Sequence, residues 1–150
     1  MPIHVTRTDT CQAPVETAFA YVADYRNVPQ WLFGMKKFEP VGEKDYGLGA
    51  TFDAEVHLGA HIHTRIRVDD WAENELISFD SIDGVKVETK WFFTADGPDR
   101  TTIRGEVTLK LPFGPAGKVM GRVVEPAVKK AVEHSSEALA RHIEEHARRG

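Results

Sequence analysis

Hydrophobic and polar positions change their period along this chain, and each change marks an element. Residues 3–11, IHVTRTDTC, carry β-branched residues at short spacing and read as a strand. In APVETAFAYVADY the period lengthens: Val15, Phe19 and Val22 share one face, Pro14 suits a first helical turn, and Glu16 favours the positive end of a helix. This predicts a short helix over about 14–24. RNVPQWLFG predicts a second, shorter one, with Asn27 as N-cap, Pro29 in the first turn and Gly34 at the end. From about 36 to 111 the pattern is β, broken by GEKDYGLG, LGAH, WAENE, DG and ADGPDR, each with turn residues, so six strands follow in meander order. Beyond FGPAGKVMG, Val124, Val128, Ala131 or Val132, Ser135, Leu139 and Ile143 recur at three- and four-residue spacing. They mark one long amphipathic helix, in which Pro126 sets a kink or the effective start.

The order strand, two helices, six strands, long helix has one economical packing. An antiparallel sheet with a single apolar face must cover that face, and the long helix is the element available to do so. The expected fold class is therefore α+β: a seven-stranded curved antiparallel sheet wrapped around a long C-terminal helix, with two short helices between strands 1 and 2 bridging one end. At 150 residues and 41% hydrophobic content, one domain over 1–150 with one sizeable core is expected.

Strand parity assigns the faces. Phe52, Ala54, Val56 and Leu58 alternate inward, as do Ile62, Ile66 and Val68, then Ile77 and Phe79, then Val85, Val87, Thr89, Trp91 and Phe93, and last Ile103, Gly105, Val107, Leu109 and Leu111. Pairing Leu58 with Ile62 sets Glu55 opposite Arg65, Asp53 opposite Arg67 and His57 opposite His63 on the outer face. It leaves His61 in a loop of three or more residues. The stretch HLGAHIH thus reads as surface histidines rather than a metal site, since zinc would need further ligands held by a second layer of contacts. His142 and His146 lie one helical turn apart, but Ile143 stands where the zinc-protease pattern requires Glu.

The inward face suggests a hollow. Aligning Phe93 with Ile103 puts Gly105 opposite Trp91, which either leaves space over the sheet or marks a bend in a curved strand. Ala127, Ala131, Ser135 and Ala138 place small groups on the helix where a filled core would use Leu or Phe. Unfilled volume is costly unless a ligand or solvent enters it, so a pocket is expected rather than a collapsed core. Its expected wall is Trp31, Phe52, Ala54, Val56, Ile66, Phe79, Thr89, Trp91, Phe93, Gly105, Met120, Val124, Val128 and Ala131, with access between the short helices near Trp31, the hairpin ends and the long helix. Arg7 and Asp9 share parity with Ile3, Val5 and Cys11. They are candidate catalytic residues as an ion pair inside the pocket, or else a polar end of the sheet.

Charge and composition narrow the classes. A formal charge of −4 and a pI near 6.0 give no attraction toward nucleic acid or acidic membranes. No window approaches the ~20 apolar residues of a membrane span, so no integral membrane association is expected. The one cysteine, Cys11, cannot form an internal disulfide, and the polar start MPIHVTRTD lacks a secretory apolar run, which fits a reducing, cytoplasmic location. Cys11 has no evident histidine partner, Ser135 and Ser136 beside His134 have no orienting acid, and GLG lacks the setting of a dinucleotide site. Neither a cofactor nor a metal is expected. Oligomeric state is not encoded.

APVETAFAYVADYRNVPQW, YGLGATF and FGPAGKVMGRVVEPAVKKAV, in this order, resemble the START-like (SRPBCC) superfamily, and most closely its bacterial polyketide cyclase/dehydrase and lipid-transport branch. The resemblance covers essentially the whole chain. It implies a helix-grip fold enclosing a hydrophobic cavity, and with it the binding, transport or sequestration of a lipid-like or polyketide-like small molecule. It equally admits a cofactor-free polyketide cyclase, aromatase or dehydratase, or a protein-interaction or stress-related module with a collapsed cavity. Aromatase/cyclase members use a pocket arginine and hydroxyl groups; Arg65 and Arg67 lie on the corresponding strand, but parity turns both outward, leaving Arg7 with Asp9.

Overall fold

The computed structural model describes residues 2–110 and 115–149, with every side chain among them except those at positions 2, 115–117 and 120. Seven strands, β1 (Pro2–Cys11), β2 (Met35–Pro40), β3 (Thr51–His57), β4 (His61–Ala72), β5 (Leu76–Gly84), β6 (Lys86–Ala95) and β7 (Thr101–Lys110), form one curved antiparallel sheet. Their order is β1-β7-β6-β5-β4-β3-β2. Consecutive strands from β2 to β7 are neighbours, joined by the 41–50 loop and then by shorter turns, whereas β1 closes the far edge against β7, from Ile3 opposite Leu109 to Cys11 opposite Thr101. The concave face is gripped around α3 (Pro115–Arg149), which packs along β1.

Helix α1 (Val15–Ala23) buries Phe19 and Val22 of the expected face, together with Ala18 and Tyr21, while Val15 is half-buried. It stops at Asp24, whose carboxylate accepts the Arg26 N–H at 3.0 Å and so opens a 3-10 turn over Tyr25–Asn27. Asn27 stands at the N-cap position of the next helix, as expected, but its side chain makes no capping hydrogen bond, and its Nδ2 donates instead to the Tyr21 carbonyl at 3.1 Å. Helix α2 is only Val28–Trp31. Gly34, at φ 84°, then turns the chain so that its carbonyl accepts the His57 N–H at 2.8 Å, tying α2 to the end of β3.

The β3–β4 hairpin has the expected faces but a different slide. Val56 faces Ile62, His57 faces His61, Glu55 faces His63, and Asp53 faces Arg65, two residues away from the expected pairing of Leu58 with Ile62. An even shift preserves parity, so Ile62, Thr64, Ile66 and Val68 remain buried on the concave side. His61 belongs to β4 rather than to the loop, which is Leu58–Ala60. Its tip abuts α3: a Cβ on Gly59 would lie 2.8 Å from the Val123 carbonyl oxygen.

The long helix runs unbroken from Pro115 through Pro126, so Pro126 does not mark its start. Proline there removes one backbone donor, on the exposed side of the helix. Two apolar clusters lie beneath α3: a larger one containing Phe19, Phe93, Leu139 and Ile143, and a smaller one of Ile3, Ile62, Leu109, Val124, Val128 and Val132. Among the described residues no helix is long and apolar enough to cross a membrane.

Candidate ligand pocket

Members of both clusters line a cavity of about 120 Å³. Its roof is the middle of α3, where Val128, Ala131, Val132 and Ser135 follow one another at helical spacing. Its floor is the concave face of β2 to β7, and one wall comes from α2 and the turn after it, Trp31 to Phe33. Phe33 lines the hollow while 47% exposed, so the cavity reaches the surface between α2 and α3. The hairpin residue Leu58 lines the same end.

The floor is shaped by Trp91 and Gly105, which face each other across β6 and β7. A Cβ on Gly105 would collide with Cζ3 of the Trp91 indole. The glycine therefore lets the ring lie flat on the β7 backbone. Of the two readings of Gly105, space over the sheet or a bend in the strand, the first is corrected, because the indole occupies that space. Trp31 then meets Trp91 edge to face, with ring centroids 5.1 Å apart.

Of the expected wall, Trp31, Ala54, Val56, Ile66, Phe79, Thr89, Trp91, Val128 and Ala131 line this cavity. Others are placed differently. Phe52 is buried but stacks on Phe38 at 4.7 Å and borders a smaller hollow near Tyr46 and Trp71. Phe93 packs against Phe19 at 5.3 Å, Gly105 lies beneath Trp91, and Val124 is fully buried in the smaller cluster. Parity fixes which face a residue takes but not its height along the strand, and these residues stand above or below the gap. Met120 lies outside the described side chains, and Leu111 outside the described residues. Sequence reasoning did not single out Val28, Leu32, Phe33, Met35, Phe38 or Thr64 as pocket residues, whereas Ser135 was among the small helix residues expected to face the hollow. Thr64, a polar residue at an inward position of β4, carried a readable signal; the turn after α2 carried none.

No Asp, Glu, His, Lys, Arg, Cys or Tyr occurs among the described lining residues. The polar groups are few. Thr64 donates to the Val85 carbonyl at 2.9 Å, and Ser135 Oγ accepts the Phe33 N–H at 2.8 Å. The Trp31 indole N–H is buried without an acceptor, and the half-buried Thr89 hydroxyl also faces the cavity.

Arg7 and Asp9 do form an ion pair, with Arg7 Nε donating to Asp9 Oδ2 at 3.0 Å. It lies on the seam between β1 and α3, with Glu137 3.8 Å from the guanidinium, and not in the wall of the cavity where it was expected. The hydrogen bond and charge of Asp9 hold Arg7 firmly protonated. Cys11 is buried at the far end of the core, and burial, with a smaller push from Glu144, raises its thiol to about 11. Such a thiol is a poor nucleophile.

The outer face holds the remaining candidates. His63 Nε2 lies 2.9 Å from Asp53 Oδ1, with Lys37 and Arg65 also beside that carboxylate at 3.5 and 3.7 Å. Arg67 is exposed, and its Nε reaches Thr51 Oγ1 at 3.4 Å. Both arginines thus stand on the convex side, as parity requires. No group of three or more His, Cys, Asp or Glu among the described residues could hold a metal ion.

A curved sheet gripping a long helix over an apolar hollow defines a helix-grip protein. Residues 2–144 match the model of the family described as polyketide cyclase / dehydrase and lipid transport, and the chain belongs to that family. No curated protein sequence matches it. Solved structures show the same fold. One from Thermus thermophilus has a TM-score of 0.78 at 18% identity, covering 93% of this chain and 96% of that one. A START superfamily protein from Mycobacterium smegmatis has a TM-score of 0.74 at 23% identity, covering 95% and 97%. The Zhui aromatase/cyclase from a Streptomyces species has a TM-score of 0.71 at 19% identity, covering 99% and 95%.

Proposed function

We propose that the protein binds a lipid-like or polyketide-like apolar small molecule in the cavity beneath α3, as a carrier or sequestering protein. The observation that carries this reading is a 120 Å³ hollow in which the described wall has no ionisable side chain. Apolar contact supplies affinity in such a site, and a few polar groups supply orientation. The family description, which joins lipid transport to polyketide chemistry, supports the same class of ligand.

A cyclase or dehydratase is the second reading, favoured by the likeness to an aromatase/cyclase. Such chemistry needs an acid or base within hydrogen-bond reach of the reacting atoms. The Arg7–Asp9 pair, the best sequence candidate, is not in the wall, and this weighs toward binding. Denaturing extraction of freshly purified protein, followed by mass spectrometry and calorimetric rebinding of whatever is released, tests the proposal. Stoichiometric recovery of an apolar molecule is expected. Repeated absence of any co-purifying or rebinding molecule would overturn it.

A further inference from the structure

Three features of the cavity restrict what can fill it: its volume, its lack of charge and its few uncommitted polar groups, the Thr89 hydroxyl and the orphaned Trp31 indole N–H among them. A cavity of about 150 Å³ lined by aliphatic and aromatic side chains takes up benzene, while pockets for drug-sized ligands run to about 300–1,000 Å³. At about 120 Å³ this hollow belongs with the first group. A single ring with a short substituent fits inside; a long acyl chain or a multi-ring skeleton would have to protrude through the opening beside Phe33. A carboxylate held inside would lose its water and meet no cation, because the described wall contains neither Lys, Arg nor His. The arginines of β4 and β1 stand on the convex face and on the β1–α3 seam.

The hydroxyls are not equivalent. Thr64 spends its proton on the Val85 carbonyl, while Ser135 Oγ accepts the Phe33 N–H and keeps only its own proton to offer. Thr89, one inward step along β6 from Trp91, keeps both its donor and its acceptor capacity among the described residues. From this geometry we infer that the pocket selects a compact, uncharged, single-ring molecule carrying one neutral oxygen, held against the Trp31–Trp91 pair and hydrogen-bonded by Thr89. This rests on the reading of the cavity as a ligand site and narrows it to a chemical class.

Calorimetric titration of the full chain with ethylbenzene, 4-ethylphenol, 4-ethylbenzoate and hexadecanoate tests the inference. Ethylbenzene and 4-ethylphenol bind, 4-ethylphenol the more tightly, and the two carboxylates bind at least about tenfold more weakly than 4-ethylphenol, the carboxylate being costly to bury without a partner. Thr89→Val, which keeps the shape and removes the hydroxyl, weakens 4-ethylphenol about fivefold and leaves ethylbenzene unchanged, the usual size of one neutral hydrogen bond. Thr89→Ser restores most of the difference. Tight binding of hexadecanoate with no binding of either neutral ring would overturn the size and charge selection while leaving the pocket intact. Equal loss of both neutral rings in Thr89→Val would overturn the role of Thr89. If none of the four binds and the extracted protein is also empty, the ligand site itself is refuted.

Discussion

The two halves of the space beneath α3 are built from the same helix and the same sheet, yet one is solid and the other hollow. Toward the C-terminal end of the helix, Leu139 and Ile143 are 1% and 0% exposed and share a cluster with Phe19 and Phe93 from α1 and β6. Two turns earlier the helix presents Ala131 and Ser135, and no aromatic ring from α1 reaches beneath them. The difference is one of side-chain size on a constant scaffold. A curved sheet encloses more volume than small helix residues can fill, so leaving the gap or closing it is decided at a handful of helix positions.

That contrast can be broken at either end. Ile143→Ala opens a void in the solid half, where the neighbours are already close-packed, and costs about 2–5 kcal/mol in urea unfolding. Gly105→Ala drives a methyl into the Trp91 indole, costs about 1–3 kcal/mol, and displaces the ring from its edge-to-face contact with Trp31, readable as a changed near-ultraviolet circular dichroism signal. Ala131→Leu, placed in the hollow half, fills existing space rather than forcing new space. Its stability stays within about 1 kcal/mol of the parent, while apolar ligand binding is lost. A large destabilisation would mean that the hollow is smaller than described.

Cys11 reports on the solid half without altering it. With its thiol raised to about 11, only ~0.1% is thiolate at pH 8, and the side chain is buried. Reaction with an aromatic disulfide reagent therefore proceeds only as the solid half opens, and Ile143→Ala accelerates it where Ala131→Leu does not. The smallest effect belongs to the convex face. Burial would raise the Asp53 carboxyl, but the hydrogen bond from His63 and the charges of His63, Lys37 and Arg65 outweigh it and hold it below the ordinary range. A folded-state value below the unfolded one stabilises above the unfolded value and is lost as pH falls through the folded one. Asp53→Asn flattens that acid-side slope by a few tenths of a kcal/mol, as expected of an exposed cluster.

Much of the fold is legible because alternation is a strong code. Ile62, Ile66 and Val68 face inward and Arg65 and Arg67 outward whichever even slide the hairpin takes, so faces were readable where register was not. The slide itself is set by the three-residue loop Leu58–Ala60 and by Gly59 seated against Val123, a contact between segments far apart in the chain. The pocket was legible in part for the same reason. Ala131 on α3 and Trp91 on β6 could be assigned to its walls, but Phe52, Phe93 and Val124 share those faces and lie outside the gap, because height along a strand depends on what the facing helix brings. Phe33 follows a four-residue helix, and no periodicity identifies its side chain as part of the wall.

The central claim is that the hollow half is the site of ligand binding. Its most direct test is to purify the parent and Ala131→Leu side by side, confirm equal melting temperatures, and compare by mass spectrometry the apolar molecules extracted from each. The account predicts a bound molecule in the parent and none in the filled variant. Equal recovery from both, at equal stability, would contradict it.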